Sequence, residues 1–197
     1  MRRLAPAVAA VVVAASAHAS SPEWVDRARD SAARLGKQLK AELISALESA
    51  GPTGGVEVCR ERAPEIAASV SGDGFSVGRT ALRVRNPDNA PDAWERDVLQ
   101  QFAERLEQGA EPASLAHWEV RETDGNRVGR WMKAIPMQPQ CRTCHGTDVA
   151  EPLAETIESL YPEDRATGFE VGELRGAFTV RVALPASETT DEAASAR

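Results

Sequence analysis

Two cysteines and a histidine stand together in MQPQCRTCHGTDVAEP, residues 137–152: Cys141, Cys144 and His145. Three chemistries use this kind of spacing. A C-x-x-C-H run can carry a covalent c-type haem. The two thiols then reach the two vinyl groups along one side of the porphyrin, and the next residue lies under the iron as proximal ligand. Two thiols at this spacing also serve as half of a structural zinc site, or as a redox dithiol. Zinc asks for four N or S ligands, and only Cys59 and His117 are left to help complete the set. A redox pair usually opens a helix behind a strand, whereas Pro136 and Pro139 before this pair and Gly146 after it predict a loop. The haem reading is the strongest of the three, and one motif means one covalently attached haem c.

The chain has 197 residues, enough for one domain. Arg2 and Arg3 precede an almost wholly apolar run from Leu4 to Ala15, and Ala17-His18-Ala19 has the small-x-small form of a cleavage site. Residues 1–19 therefore read as a secretory signal peptide. The apolar run is shorter than the roughly 20 residues that a bilayer span needs, so stable membrane insertion after cleavage is not expected. An uncleaved anchor is the other reading of the same segment. The expected organisation is a signal peptide at 1–19, one haem domain at 20–186, and a polar, disordered tail at 187–197. Export places the protein in the bacterial periplasm. Loss of residues 1–19 takes the basic residues from 23 to 21 against 30 acidic ones, a formal charge of −9. An acidic chain without a basic run is a poor nucleic-acid binder. Three cysteines is an odd number, and an unpaired thiol is exposed to oxidation in that compartment. Cys59 therefore needs an explanation.

The iron of such a haem has a second axial position, whose ligand helps set potentials spanning roughly 0.8 V across haem proteins. The candidates are His117, Met132, Met137, Cys59 and Lys133, or no protein ligand. Met137 is too near Cys141 in the chain to reach the opposite face of the ring. Met132 and Lys133 fall on a predicted strand, where Met132 suits the core, and His117 opens a strand near the surface. Cys59 lies on an apolar helix face, where cysteine serves as a small hydrophobe. A thiolate there needs a compensating charge, which ferric iron supplies. Residue types alone leave core packing and iron ligation both open for Cys59.

The elements that must position these groups follow from periodicity. Val25, Ala28, Ala32, Leu35, Leu39, Leu43 and Leu47 recur three or four apart and predict a helix from Trp24 to about Ala50, ended by Gly51-Pro52. A second helix is expected over Val56–Val70, with Val56, Cys59, Ala63, Ile66 and Val70 on one face and Pro64 kinking or dividing it. Alternation at Phe75 and Val77, then at Thr80, Leu82 and Val84, predicts strand. A turn at 86–89 leads to a helix from Ala90 to about Gln108. Strands at 117–123 and 127–135 flank the hairpin signal Asp124-Gly125-Asn126. A short helix over 152–161 and a last strand with Gly176, Phe178, Val180, Val182 and Leu184 on one face complete the chain. The fold class is α+β, an antiparallel sheet with helices packed on it. Arg79, Arg83 and Arg85 fall on one side of the predicted strand RTALRVR, and guanidinium forks suit the carboxylates of haem propionates. A solvated strand face accommodates them equally well. Trp131 can pack on the ring or in an ordinary core.

Four blocks stand in order: VCRERAPEIA (58–67), VGRTALRVRNPDNAPDAWE (77–95), CRTCHG (141–146) and YPEDRATGFEVGELRGAFTV (161–180). In these the chain resembles a bacterial family of single-haem c-type proteins with a PAS-like fold, found as exported proteins and as sensor portions of histidine kinases. The resemblance covers nearly all of the chain after residue 19. It implies a PAS-like antiparallel sheet with flanking helices, a long N-terminal helix and a haem held against the sheet. It also implies axial ligation by His145 on one side and, through the V-C-x-x-x-A-P block, by Cys59 on the other. The sequence shows no kinase portion, so any signalling output is expected to pass through a periplasmic protein partner. Two functions are then expected in turn: a redox- or ligand-responsive haem sensor, and an electron-transfer cytochrome whose acidic charge meets a basic partner. Catalysis is not expected, because no nucleophile–base set is present and an iron with both axial positions filled offers no substrate site.

Overall fold

An apolar helical stripe and one glycine shape the N-terminal third of the protein. The computed structural model describes residues 21–186 apart from Asp73, Asp124 and Gly125. The predicted signal peptide (1–19) and polar tail (187–197) lie outside the described residues. Helix α1, Glu23–Ser69, contains both predicted helices and departs from helical geometry at Gly51 (φ 68°, ψ −167°). Positive φ is a conformation that glycine adopts without steric cost, and Pro52 then opens the second arm, where its missing N–H is not needed. The chain reverses here into a helical hairpin. Arg62 on the second arm reaches Glu42 on the first at 3.6 Å. Gly55 lets the arms meet closely, since a Cβ there would fall 3.0 Å from Leu47 and 3.1 Å from Leu43. Pro64 neither kinks nor divides the second arm, contrary to expectation: Gly51 alone departs from helical geometry within α1. Pro64 and Arg60, whose carbonyl the proline leaves free, are both exposed to solvent.

Strands β1 (Phe75–Thr80), β2 (Ala116–Thr123), β3 (Asn126–Pro136) and β4 (Leu174–Leu184) form one antiparallel sheet in the order β1-β4-β3-β2. The β2–β3 hairpin closes on the pair Thr123↔Asn126, where the Asp-Gly-Asn signal places it. Alternation sorts side chains between two cores. On one face Trp24, Val25, Ala28, Ala32 and Leu35 of α1 pack on Val77, Trp131, Val180 and Val182. Trp131 is thus an ordinary core residue. Beyond Leu39 the α1 stripe leaves the sheet, so Leu47 is 37% exposed. On the other face, helix α2 (Ala93–Glu107) sets Trp94, Val98, Leu99 and Phe102 against Leu115, Met132, Ala134 and Ala177. The α+β expectation, with a long N-terminal helix and an antiparallel sheet flanked by helices, holds and is consistent with a PAS-like fold.

Two boundaries differ from expectation. The strand predicted to run on through Val84 ends at Thr80. There β1 and β4 come so close that a Cβ on Gly176 would lie 2.5 Å from the Thr80 oxygen, and the chain turns away from the sheet. Arg83 and Arg85 therefore do not share a strand face with Arg79. The C-x-x-C-H stretch, predicted as a loop, is a 3-10 turn at Pro139–Cys141 followed by helix α3, Arg142–His145. Pro139 supplies the fixed φ that starts such a turn. Helix α4 (Glu151–Leu160) follows close to its predicted range.

Helix α2 starts three residues later than predicted, at a capping box. Asp92 accepts from the Glu95 N–H at 2.8 Å, and Glu95 accepts from the Asp92 N–H at 3.0 Å. Glu95 is buried and also pairs with buried Arg130 at 3.1 Å and accepts from the Thr179 hydroxyl at 2.7 Å. Burial works against ionisation of Asp92, but the Glu95 N–H, Arg130 and Arg181 outweigh it and hold its carboxyl below the ordinary value of 3.8. Breaking this network has graded costs. Glu95→Ala leaves Arg130 without its buried partner and is expected to lower the unfolding free energy by about 3–5 kcal/mol. Asp92→Ala removes a cap and is expected to cost about 0.5–2 kcal/mol. Because the folded Asp92 binds its proton less readily than the unfolded one, its contribution is present above that pH and fades as the pH falls through it. Chemical denaturation of the variants at pH 7 and pH 3 measures both effects.

Candidate functional site

The turn that carries Cys141, Cys144 and His145 is clamped from the far end of the chain. Gly146 stops α3, donating its N–H to the Arg142 oxygen at 2.9 Å, and a Cβ at Gly146 would lie 2.6 Å from that oxygen. The segment between α4 and β4 then wraps the turn. Gly168 N–H donates to Gly146 O at 2.8 Å and Phe169 N–H to His145 O at 3.0 Å. Met137 and the 172–173 backbone exchange two more bonds, at 2.9 and 2.8 Å.

The His145 ring is fixed by a single bond whose direction is unambiguous. Its Nδ1 lies 2.6 Å from the Ala166 carbonyl oxygen, which can only accept. Nδ1 therefore carries the proton, and Nε2 keeps a free lone pair. Burial, then the charges of Arg175 and Arg85, press the imidazole pKa down to about 2. The ring is neutral at any pH near 7, the form that binds a metal. Ala166 is itself oriented: its N–H donates to Asp164 Oδ1 at 2.8 Å. Asp164 Oδ2 accepts from Arg85 Nη2 at 3.0 Å, and the same nitrogen donates to the Cys144 carbonyl at 2.6 Å.

All three cysteines are free thiols. Cys141 borders a buried cluster of Met137, Ala166 and Phe169. Cys144 borders another, made by Leu153, Ile157 and Tyr161 together with Val56 of α1. Val56 lies nearly one helical turn before Cys59, so the arm that bears Cys59 packs directly on the cluster beside Cys144. Burial pushes the Cys144 thiol up, Arg85 draws it down, and Cys59 and Cys141 push it up again. The three sulfurs thus share one electrostatic neighbourhood.

An arginine attends each of them. Arg85 is the neighbour of Cys144. Arg79, on β1, is pulled down by burial and supported by Cys59 and Tyr161. Arg175, on β4, is pulled down to about 10 by burial, then by Arg85 and Arg79, with Asp164 and Cys141 acting in the opposite sense. Arg83 stands apart: it donates to the Thr167 oxygen and lies 3.7 Å over the Phe169 ring. The Nε atoms of Arg85 and Arg175, like that of Arg130 on the α2 face, are buried without a hydrogen-bond partner.

Of the remaining candidates for a second axial ligand, all but Met137 lie away from the motif turn. His117 is on β2, the edge strand opposite β1, and packs against Trp94 with ring centroids 5.9 Å apart. The same position takes it out of a zinc set with Cys141 and Cys144. Met132 is buried under α2, and Lys133 donates to Pro112 and Ala113 oxygens. Met137 lies beside Cys141 in its cluster. A groove of about 580 Å³ lies between the arms of α1 and is lined by Gln38, Glu42, Arg62 and Glu65, none of them at the motif.

A family model described as Tll0287-like matches residues 9–183. The chain belongs to the Tll0287-like family. A solved structure described as the cyanobacterial heme-protein Tll0287 is 27% identical and superposes with a TM-score of 0.59. The match covers 85% of this chain and 99% of that one. No curated protein matches the chain.

Within this Tll0287-like chain the sequence motif gave three neighbours, Cys141, Cys144 and His145, and the fold adds Cys59 and Arg79 from distant segments. It also adds groups that pattern reading missed: Arg175, Asp164 and the Ala166 carbonyl. Arg175 had a signal, a cation in the otherwise apolar run LRGAFTV, but alternation assigned it to a polar face. The carbonyl had none, since a backbone acceptor leaves no trace in residue type. Asp164→Ala removes the partner of a pair in which both side chains are 9% exposed. It is expected to cost about 3–5 kcal/mol in denaturant unfolding, against less than about 1 kcal/mol for removing the exposed partner in Arg29–Asp26.

Proposed function

We propose that this chain is an exported, periplasmic single-haem protein of the c type that acts as a redox or ligand sensor. Cys141 and Cys144 would hold the haem through thioethers, and His145 and Cys59 would hold its iron. The single observation that carries this reading is the His145–Ala166 bond, which leaves a neutral imidazole with Nε2 free directly after a C-x-x-C pair. The likeness to a heme-protein supports it. So does the fit of the donor set: two thiols on one turn, a third thiol on a facing helix, and buried guanidinium nitrogens without partners.

When bound, haem supplies a one-electron couple at a Lewis-acidic iron. The chain supplies the response. Cys59 rides on the second arm of α1, whose far end, at Ile66, joins the first arm in the core over the sheet. A thiolate in this partly buried position depends on nearby positive charge, which Arg79 and a ferric centre provide and a ferrous one provides less well. Retention or release of the sulfur would change what holds that arm, a local event with a structural readout. No catalytic role is assigned. The second reading, an electron carrier, is favoured by the acidic surface charge, which would steer the protein to a basic partner.

Expression with a working cytochrome-maturation system, followed by optical and EPR spectra of the ferric protein, tests the ligand set. Wild type is expected to give a thiolate-ligated low-spin signal, and Cys59→Ala a high-spin or water-ligated one. An unchanged spectrum in the variant removes Cys59 from the iron. Colourless wild-type protein removes the haem. Exposure of the reduced protein to carbon monoxide separates the two roles: a sensor is expected to bind it and lose the sulfur ligand, a carrier to keep both ligands.

A further inference from the structure

We infer that Arg175 and Arg79 form the seat for the two propionate carboxylates of the haem, the role that strand alternation shares among Arg79, Arg83 and Arg85. The inference rests on the haem reading above and concerns how the group is oriented and its potential set.

Charge compensation at the site carries it. Arg79, Arg85 and Arg175 are close enough to act on one another and on His145. One carboxylate, Asp164, answers them, and it is committed to Arg85 at 3.0 Å in a pair that is nearly closed to solvent. Arg85 spends its Nη2 on Asp164 and on the Cys144 carbonyl. Arg175 has no carboxylate partner: its Nη1 makes one long bond to the Arg83 oxygen at 3.3 Å, its guanidinium lies 5.3 Å over the Phe169 ring, and its Nε is buried without a partner. Arg79 has no hydrogen bond or ion pair among the described residues, and no carboxylate is among the charges that act on it. Two half-buried guanidiniums thus lack a carboxylate partner, and one of them, Arg175, has its Nε closed to solvent. The contrast with Arg130 is direct: that buried arginine meets Asp92 at 2.9 Å and Glu95 at 3.1 Å.

The missing charge has the sign and number that haem brings. In a His/Cys-ligated ferric haem the iron, the macrocycle and one thiolate cancel, so the remaining charge is that of the two propionates. Carboxylates on a rigid plate suit guanidinium forks. Arg175 lies over Phe169, whose N–H donates to the His145 oxygen, and Arg79 stands on β1 opposite Phe178 of β4, so both arginines come from the same paired strands beside the motif turn. Arg83 is excluded because its guanidinium is committed to the Thr167 oxygen and lies closer over the Phe169 ring than that of Arg175, 3.7 Å against 5.3 Å.

The test uses the haem-loaded protein and the variants Arg175→Met, Arg79→Met, Arg83→Met and Arg175→Lys. Midpoint potentials are measured by spectroelectrochemistry and propionate bending modes by resonance Raman. Loss of a propionate counter-charge favours ferric iron, so Arg175→Met is expected to move the potential negative and shift the propionate band. Arg175→Lys is expected to restore the potential toward wild type, and Arg83→Met to change neither readout. Should Arg175→Met not be recovered folded, Arg79→Met carries the same expectation. Wild-type potential and an unmoved band in both methionine variants overturn the assignment. So does a wild-type potential that follows phosphate concentration at constant ionic strength, which would place a solution anion on these arginines. Wild type without attached haem instead overturns the reading under Proposed function, which keeps the two failures apart.

Discussion

The His145 imidazole donates its Nδ1 proton to the Ala166 oxygen, and that bond closes a ring of interactions beginning and ending on the same helical turn. Ala166 is oriented through its own N–H by Asp164, Asp164 is held by Arg85, and Arg85 returns to the carbonyl of Cys144, the residue before His145. Each member orients the next, and a buried polar network of this kind is stable only when its members are satisfied together. The ring draws on three separated stretches of chain: the irregular segment after β1, the turn of α3 and the wrap before β4. Its consequence is chemical as well as structural. The histidine can present only one nitrogen, in the neutral tautomer, from a fixed direction.

On the opposite face of the sheet a buried arginine does have carboxylate partners, although its Nε too is unbonded. On the α2 face Arg130 has two carboxylates, lies 4.4 Å over the Trp94 ring, and belongs to a network that also caps the helix and reaches β4 through Thr179. That face is rigid scaffold. Around the motif turn, three arginines meet one carboxylate. A fold able to build the first arrangement has the means to build the second with full compensation. The deficit therefore marks a place prepared for an anionic guest rather than a flaw in packing.

Legibility in the sequence followed from whether a feature was local. The helical stripe of α1, the Asp-Gly-Asn hairpin and the alternation of β4 are set by neighbours a few residues apart, and each formed close to where periodicity put it. Cys141, Cys144 and His145 were legible because one helical turn holds all three. The segment 81–86 was misjudged because Leu82 and Val84 alternate as strand residues do. Burial of Arg85 against Asp164, 79 residues away, overrides that pattern. Pro64 was misjudged for the opposite reason, since solvent on its exposed face donates to the free Arg60 carbonyl that would destabilise a buried helix. Arg175 was legible as an oddity but not as a partner, because its neighbours Arg79 and Arg85 come from another part of the chain. The order of the strands required the tertiary structure, as alternation constrains faces and not neighbours.

The two sides of the site are held unequally, and this bears on function. His145 and its two cysteines share one turn, fastened by backbone bonds from 146, 168, 169 and the 137–173 pairing as well as by the ring through Asp164. Cys59 comes from a separate helix arm that enters through the positive-φ break at Gly51 and meets the motif through Val56 on a small apolar cluster. Apolar contact is non-directional and yields more readily than a set of converging hydrogen bonds. A change of charge between the two sides therefore acts first on the Cys59 arm, while the proximal turn stays in place. A protein whose task was only to pass electrons gains from equal rigidity on both sides, because reorganisation slows transfer. The inequality accords with the sensing role proposed above, in which the motif turn would be the fixed half and the Cys59 side the half that responds.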